Sequence, residues 1–195
     1  MKPITYVNAV QDALGRTDFA AVSRTIEVVE TAFREERQIF AFGNGASAAL
    51  ASHMATDAGK LLIADDGLGG RKRLRIQSLN DNCAWLTAIG NDIGYDNLFT
   101  EQLANFLRPK DIVIGISGSG SSPNVLRALE YAKSRGATLI GFTSARPSAE
   151  TMAGLCDICL RAPLDMMEQI EDIHVIYHHI IVRSVYDAIT GHAER

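Results

Sequence analysis

Apolar positions along the chain follow two alternating rhythms. Residues 6–14 and 19–34 carry them at helical spacing, with Ala20, Ile26, Val29 and Phe33 on one stripe of the second segment. Gly15-Arg16-Thr17-Asp18 between the two supplies a break and capping residues. After the charged run Arg34-Glu35-Glu36-Arg37, Ile39-Phe40-Ala41-Phe42 is short and continuously apolar and ends at Gly43. A helical stretch over 47–60 follows, so the order is strand, glycine turn, helix N-terminus. Residues 65–73 are polar and Gly-rich and read as a mobile loop before a strand over 74–79. Further strands are predicted at 111–116, 138–143 and 157–160, with helices over 122–135, 148–154 and 166–189. Strands alternating with helices predict a sheet covered on both faces. The expectation is one α/β domain over residues 1–195: a leading helical pair, a five-stranded, mostly parallel sheet flanked by helices, and a long last helix.

That last helix is apolar on more than one side (Ile170, Ile173, Val175, Ile176, Ile180, Ile181, Val185), a pattern that predicts packing against more than one surface and hence a subunit interface. With 195 residues, 47% of them apolar, the chain can bury one sizeable core. No apolar run reaches the roughly 20 residues of a membrane helix, and residues 1–16 lack a signal-peptide core, so a soluble, cytoplasmic protein is expected. A net charge of -4, with acids and bases interspersed, argues against nucleic acid or membrane as partner and favours a small molecule. Three cysteines, Cys83, Cys156 and Cys159, do not make a disulfide framework. Cys156 and Cys159 form a CxxC, but positions three apart on a strand point to opposite faces, so a strand there keeps the thiols apart.

The candidate chemistry begins at Gly115-Ile116-Ser117-Gly118-Ser119-Gly120-Ser121-Ser122-Pro123-Asn124, which follows the most apolar strand and opens a helix. Free backbone N–H groups at a helix N-terminus, a glycine turn that lets the backbone come close, and hydroxyls as extra donors are what a phosphate needs. Elsewhere such a cluster is often only a turn with an N-cap. Its place at the carboxyl end of a parallel strand, where open sheets bind ligands, favours phosphate. Ser117, Ser119, Ser121 and Ser122 come with no lysine, so the loop is no P-loop and suits a terminal sugar phosphate. Gly43-Asn44-Gly45-Ala46-Ser47 occupies the same kind of turn, and neither segment fits the dinucleotide fingerprint. His53 and Asp57 lie one turn apart on the following helix, a spacing that suits a metal pair or a base with its partner. On the last helix His174, His178 and His179 compete, and spacing alone does not choose among them.

Taken together, Gly43 to Ser47, His53 with Asp57, Ile89-Gly90-Asn91-Asp92, the Ser117–Ser122 loop and Ile170-Glu171-Asp172-Ile173-His174 with His179 resemble the SIS (sugar isomerase) family, and within it the phosphoheptose isomerases. The resemblance covers nearly the whole chain and implies a flavodoxin-like three-layer sandwich. It implies an aldose–ketose isomerase that interconverts sedoheptulose 7-phosphate and D-glycero-D-manno-heptose 7-phosphate. Asn44, Gly45, Ala46, Ser47, Asn91, Asp92, Ser117, Gly118, Ser119, Ser122 and Glu171 would bind the substrate. His53, Asp57, Glu171 and His179 would hold one zinc ion per subunit, with Asp57 and His179 also catalytic. The family pattern, five residues on from His174, selects His179. Asp57 stands where related enzymes carry Glu, and Glu171 where they carry Gln. The resemblance also implies a homotetramer with sites between subunits, for which Glu168 is the candidate to reach a neighbouring substrate. Within the same family, a non-catalytic regulatory adaptor and an isomerase of another sugar phosphate are the alternative expectations.

Overall fold

The structure is a computed structural model and describes residues 1–65 and 70–191. Helices α1 (Pro3–Leu14) and α2 (Phe19–Glu35) lead into β1 (Gln38–Gly43) and α3 (Ala46–Leu61). Asp18 caps α2 by accepting from the backbone N–H groups of Ala20 and Ala21 at 3.0 and 3.1 Å, as the break at 15–18 predicts. Short strands β2 (Ile63–Asp65) and β3 (Arg71–Arg73) precede β4 (Arg75–Ser78), α4 (Cys83–Asp92), a 3₁₀ turn (Tyr95–Asn97) and α5 (Thr100–Phe106). Then come β5 (Ile112–Ile116), α6 (Pro123–Ser134), β6 (Thr138–Ser144), α7 (Glu150–Leu155), β7 (Ile158–Ala162) and α8 (Met167–Thr190).

Strands β4-β1-β5-β6-β7 form one sheet in that order, and every pairing in it is parallel. Period-2 alternation sorts the strand residues between two cores. Ile39, Ala41, Ile112, Ile114, Ile140 and Phe142 face one side, where Val29 and Phe33 of α2, Met54 of α3 and Ile173, Tyr177 and Ile181 of α8 cover them. Phe40, Phe42, Val113 and Leu139 face the other, against Ile89 of α4, Leu103 of α5, Leu129 of α6 and Met152 of α7. Phe42 stacks on Phe99 with ring centroids 4.6 Å apart. Each such fully buried ring contributes about 1.5–3 kcal/mol over exposure. The result is the three-layer sandwich, and no helix among the described residues is long and apolar enough to cross a membrane.

Three features depart from the sequence reading. The stretch read as a mobile loop contains an antiparallel ribbon, Ile63 to Asp65 paired with Arg73 to Arg71; residues 66–69 of that stretch lie outside the described residues. On α8, Ile170, Ile173, Ile181 and Val185 are buried within the chain, against α1, α2, α3 and the sheet, which leaves Val175, Ile176 and Ile180, partly buried, as what the expected subunit interface could draw on. The cysteine geometry also differs, because β7 starts only at Ile158. A Cβ placed on Gly141 would lie 2.9 Å from Cys156 Sγ and 3.2 Å from Cys159 Sγ, so both sulfurs face the same side. Burial pushes these thiols up to about 12 and about 11, which leaves them protonated and unreactive at neutral pH.

One glycine is held by both its backbone and its surroundings. Gly120 has φ +64°, and a Cβ there would lie 2.4 Å from Ala149 Cα. Exposed Gly154, in α7, has open space around its Cα. Substituting alanine should therefore act with opposite signs. Gly120→Ala should lose about 2 kcal/mol or more, the scale of a non-glycine residue forced into a left-handed backbone with a clash. Gly154→Ala should gain about 0.5–1 kcal/mol from helix propensity. Urea unfolding midpoints check both, and a Gly120→Ala midpoint equal to the parent's would refute the tight turn.

Candidate active site

β1 and β5 pair with Gly43 opposite Ile116, so the turns that leave them lie side by side at the carboxyl edge of the sheet. At the first turn there is no room for a side chain on Gly43: a Cβ would meet Ser47 Cβ at 2.6 Å and the Ile116 carbonyl at 2.7 Å. Asn80 holds that backbone from the β4 side, donating to the Gly43 carbonyl at 2.9 Å and accepting from its N–H at 3.2 Å. Gly45 caps α3 with a φ of +58°, and Ala46 and Ser47 open the helix. Asn44 and Asn124 exchange two amide hydrogen bonds, each 2.9 Å, and tie the first turn to the first turn of α6. Tyr95 adds a third contact, donating to Asn44 Oδ1 at 3.3 Å.

The serine loop curls around its own hydroxyls. Ser117 Oγ lies 3.2 Å from Ser122 Oγ and 3.3 Å from Ser119 Oγ, and it accepts from Gly120 N–H at 3.1 Å. Ser122 is the N-cap of α6, yet its hydroxyl makes no capping bond. Three hydroxyls therefore converge at the N-terminus of the twelve-residue helix α6, where Pro123 carries no N–H and Asn124 Oδ1 accepts from the Val125 N–H at 3.0 Å. Gly118 is buried against Met167 of α8, where an added Cβ would lie 2.5 Å from the sulfur, so the loop backbone sits directly on the last helix.

α3 runs from the first turn alongside α8. A cleft of about 210 Å³ between them is lined by Ala46, Ser47, His53, Glu171, Asp172 and His174, among others. His53 lies six residues past Ser47, about 9 Å further along the helix. There Asp57 Oδ2 is 3.0 Å from His53 Nε2, 3.3 Å from His178 Nε2 and 3.8 Å from His179 Nε2. One donor atom from each of the four residues lies within 4.8 Å of all the others. Burial works to raise the Asp57 carboxyl, but the hydrogen bond from His178 and the positive charge of His53 hold it below the usual carboxylate range. Burial drives His178 down to about 4, so its ring is neutral at pH 7. A ring of imidazole nitrogens around an ionised carboxylate suits a divalent metal of borderline character.

Most of the residues expected at the site are gathered here. Asn44, Gly45, Ala46, Ser47, Ser117, Gly118, Ser119 and Ser122 form the two turns, and His53, Asp57 and His179 share the cluster. Glu171 lines the cleft beside His53 but lies outside the four-residue cluster; burial, Glu168 and Asp172 push its carboxyl up. Asn91 and Asp92 end α4 on the exposed side, with Asn91 donating to Asp92 Oδ1 at 2.7 Å, and Glu168 is exposed in the first turn of α8. His174 is spoken for, since its Nε2 sits 2.8 Å from the Thr143 carbonyl in full burial. Sequence reasoning left His178 aside and missed Asn80, Tyr95 and Asn124. Three imidazoles within six residues of one helix were the only signal for the first, and nothing local marked the others.

The chain matches the SIS domain family over residues 4–144. It is 36% identical to the phosphoheptose isomerase of Rhodospirillum rubrum over 87% of this chain and 86% of that one. It is 38% identical to the phosphoheptose isomerase of Aneurinibacillus thermoaerophilus, over 85% and 82%. The solved phosphoheptose isomerase of Neisseria gonorrhoeae superposes with a TM-score of 0.82 at 28% identity, covering 93% of both chains. A family match over residues 4–144, together with identities of 36% and 38% over most of the chain, leaves one conclusion: the chain belongs to the SIS domain family, among the phosphoheptose isomerases.

Proposed function

We propose that this enzyme interconverts sedoheptulose 7-phosphate and D-glycero-D-manno-heptose 7-phosphate. The observation that carries the reading is the continuity of one cleft, from Ser47 beside the phosphate-type turns to His53 in the His/Asp cluster. A sugar phosphate long enough to span it places its phosphate on Ser117, Ser119, Ser122 and the α6 N-terminus and its C1–C2 end at the cluster. Asn44, Gly45, Ala46 and Ser47 border the sugar's path, and Asn91 and Asp92 are offered to it from α4. His53, Asp57 and His179, with Glu171 as the fourth residue that the family resemblance implies, would hold a zinc ion. When bound, that ion supplies Lewis-acid polarisation of the carbonyl and of the adjacent hydroxyl.

Isomerisation moves one proton between adjacent carbons and one between their oxygens, through an enediol. Asp57, ionised and hydrogen-bonded by His178, takes the proton from carbon and returns it to the neighbouring carbon. His179, half exposed at the mouth of the cluster, carries the oxygen-bound proton. Glu171 has the more basic carboxyl of the two, and it lines the same cleft, so it is the next base to test if Asp57 proves dispensable.

We further propose a homotetramer in which neighbours complete the site. Ile4, Val7 and Phe19 of the leading helices, and Ile93 and Tyr95 beside the Asn44 turn, are large apolar side chains each more than half exposed. Glu168, exposed in the first turn of α8, would be the residue that reaches a neighbour's substrate.

Three measurements test these readings. Ser119→Ala should weaken substrate binding by about 1.5–3 kcal/mol, the scale of a hydrogen bond to a charged group, with an unchanged melting temperature. Parent values of KM and kcat in that variant would place the phosphate elsewhere. Asp57→Asn and His179→Gln should each lower kcat about 10²-fold or more and reduce zinc content by atomic emission, while substrate still raises the melting temperature. A panel of ketose phosphates followed by NMR, with and without zinc, supplies the assay, and a parent rate in Asp57→Asn would pass the base role to Glu171. Light scattering at micromolar concentration should return four chains, and a monomer there would remove the shared site.

A further inference from the structure

We propose that His178 is a direct metal ligand, so that His53, Asp57, His178 and His179 form a three-imidazole, one-carboxylate site and Glu171 remains outside it in the substrate cleft. The proposal rests on the metal reading above and changes its ligand set. Four donors each about 2.0–2.1 Å from a tetrahedral ion lie about 3.3 Å from one another. The three imidazole nitrogens stand 3.0, 3.3 and 3.8 Å from Asp57 Oδ2, which brackets that spacing, and His178 is the second closest of the three. No member of the set needs more than a small side-chain adjustment, because all four donor atoms already lie within 4.8 Å of each other.

The surroundings of His178 separate it from an ordinary core histidine. His174, one turn earlier and equally buried, gives its Nε2 to the Thr143 carbonyl and packs its ring against Phe142. His178 is 1% exposed, and its Nε2 faces Asp57. Its Nδ1 is buried without a hydrogen-bond partner, so nothing on that side dictates which ring nitrogen carries the proton. An ion held by Asp57 would take the place of the Nε2–H that now donates to that carboxylate, with the ring proton moving to Nδ1 and the Nε2 lone pair turning to the ion. His53 and His179 reach the same point from the exposed side, each with its ring about 5 Å from that of His178. The arrangement divides the labour: the buried imidazole anchors an ion at the base of the cleft, and the two exposed ones close it from the solvent side.

The test is metal binding itself, on full-length protein stripped with chelator. Zinc and cobalt affinities are measured by competition with a chromophoric chelator, and imidazoles per zinc are counted by X-ray absorption. The parent should bind one zinc per chain through three imidazoles. His178→Leu, apolar enough for its surroundings, and His178→Gln should both stay folded by circular dichroism, bind about 100-fold or more weaker, and show two imidazoles. Glu171→Gln should stay within about threefold of the parent with three imidazoles. Parent affinity in both His178 variants, or weaker binding with the imidazole count unchanged, overturns the proposal; so does loss of zinc in Glu171→Gln alone. A parent that takes up no zinc overturns the metal reading too, and its isomerase rate without metal then shows whether the proton-transfer reading survives.

Discussion

The site depends on the parallel pairing of β1 with β5 at the middle of the sheet. Two parallel strands in register deliver their following turns to the same height on the same edge, and each turn here opens a helix. The two helix N-termini, α3 and α6, are thereby set next to each other, and their partial positive charges add over one patch of space. Phe40 and Val113 on one face, and Ile39, Ile112 and Ile114 on the other, hold that register, because slipping by one residue would exchange the faces of every one of them. The reciprocal Asn44–Asn124 bonds then carry the rigidity of the strands into the turns, and Asn80 does the same from β4. Buried amides that satisfy one another are costly to separate, so the two turns move as a unit.

This explains why so much was readable in the sequence and where reading stopped. The strand-turn-helix units at 39–60 and 111–135 are local: apolar run, glycine, hydroxyl, helical period. Their chemistry follows from position, and the structure places both as expected. The paired asparagines are eighty residues apart and carry no local signature, since the partner of each is set by sheet order. The segment over 83–106 holds two short helices and a 3₁₀ turn, for which ten apolar-mixed residues give too little period to detect. The ribbon of β2 and β3 is built from Ile63, Ala64, Asp65 and three basic residues, a composition with almost no strand signal.

α8 illustrates a different limit. A helix apolar on several sides announces that it will be covered, but not by what. Here α1, α2, α3 and the sheet do the covering, and the interior thus gained is what allows imidazoles to be buried on it. His174 and His178 lie one turn apart on the face that meets the core, while His179 is rotated about 100° to the mouth of the cleft. Three adjacent histidines therefore reach three environments: a backbone carbonyl, a carboxylate shared with other imidazoles, and solvent. Sequence spacing cannot separate them, because which face is inward is fixed by packing against elements far away in the chain.

The electrostatics of the cluster follow from that packing. A carboxylate half removed from water loses solvation, and the loss must be offset by hydrogen bonds or by opposite charge. Asp57 has one imidazole, His178, that is buried and neutral and so offers a hydrogen bond but no charge. Its two other neighbours face solvent, where water screens whatever charge they carry. The hydrogen bond from His178 and the charge of His53 nevertheless outweigh the lost solvation and hold Asp57 in its ionised form. Glu171, further along the same cleft, lacks such compensation, and burial with the charges of Glu168 and Asp172 pushes its carboxyl up. The cleft consequently grades from the donor-rich serine turns, which attract anionic phosphate, to an acid-rich end that attracts cations and the hydroxyl protons of a sugar. A substrate with phosphate at one terminus and a polyol carbonyl at the other is oriented by this gradient before any reacting atom is touched.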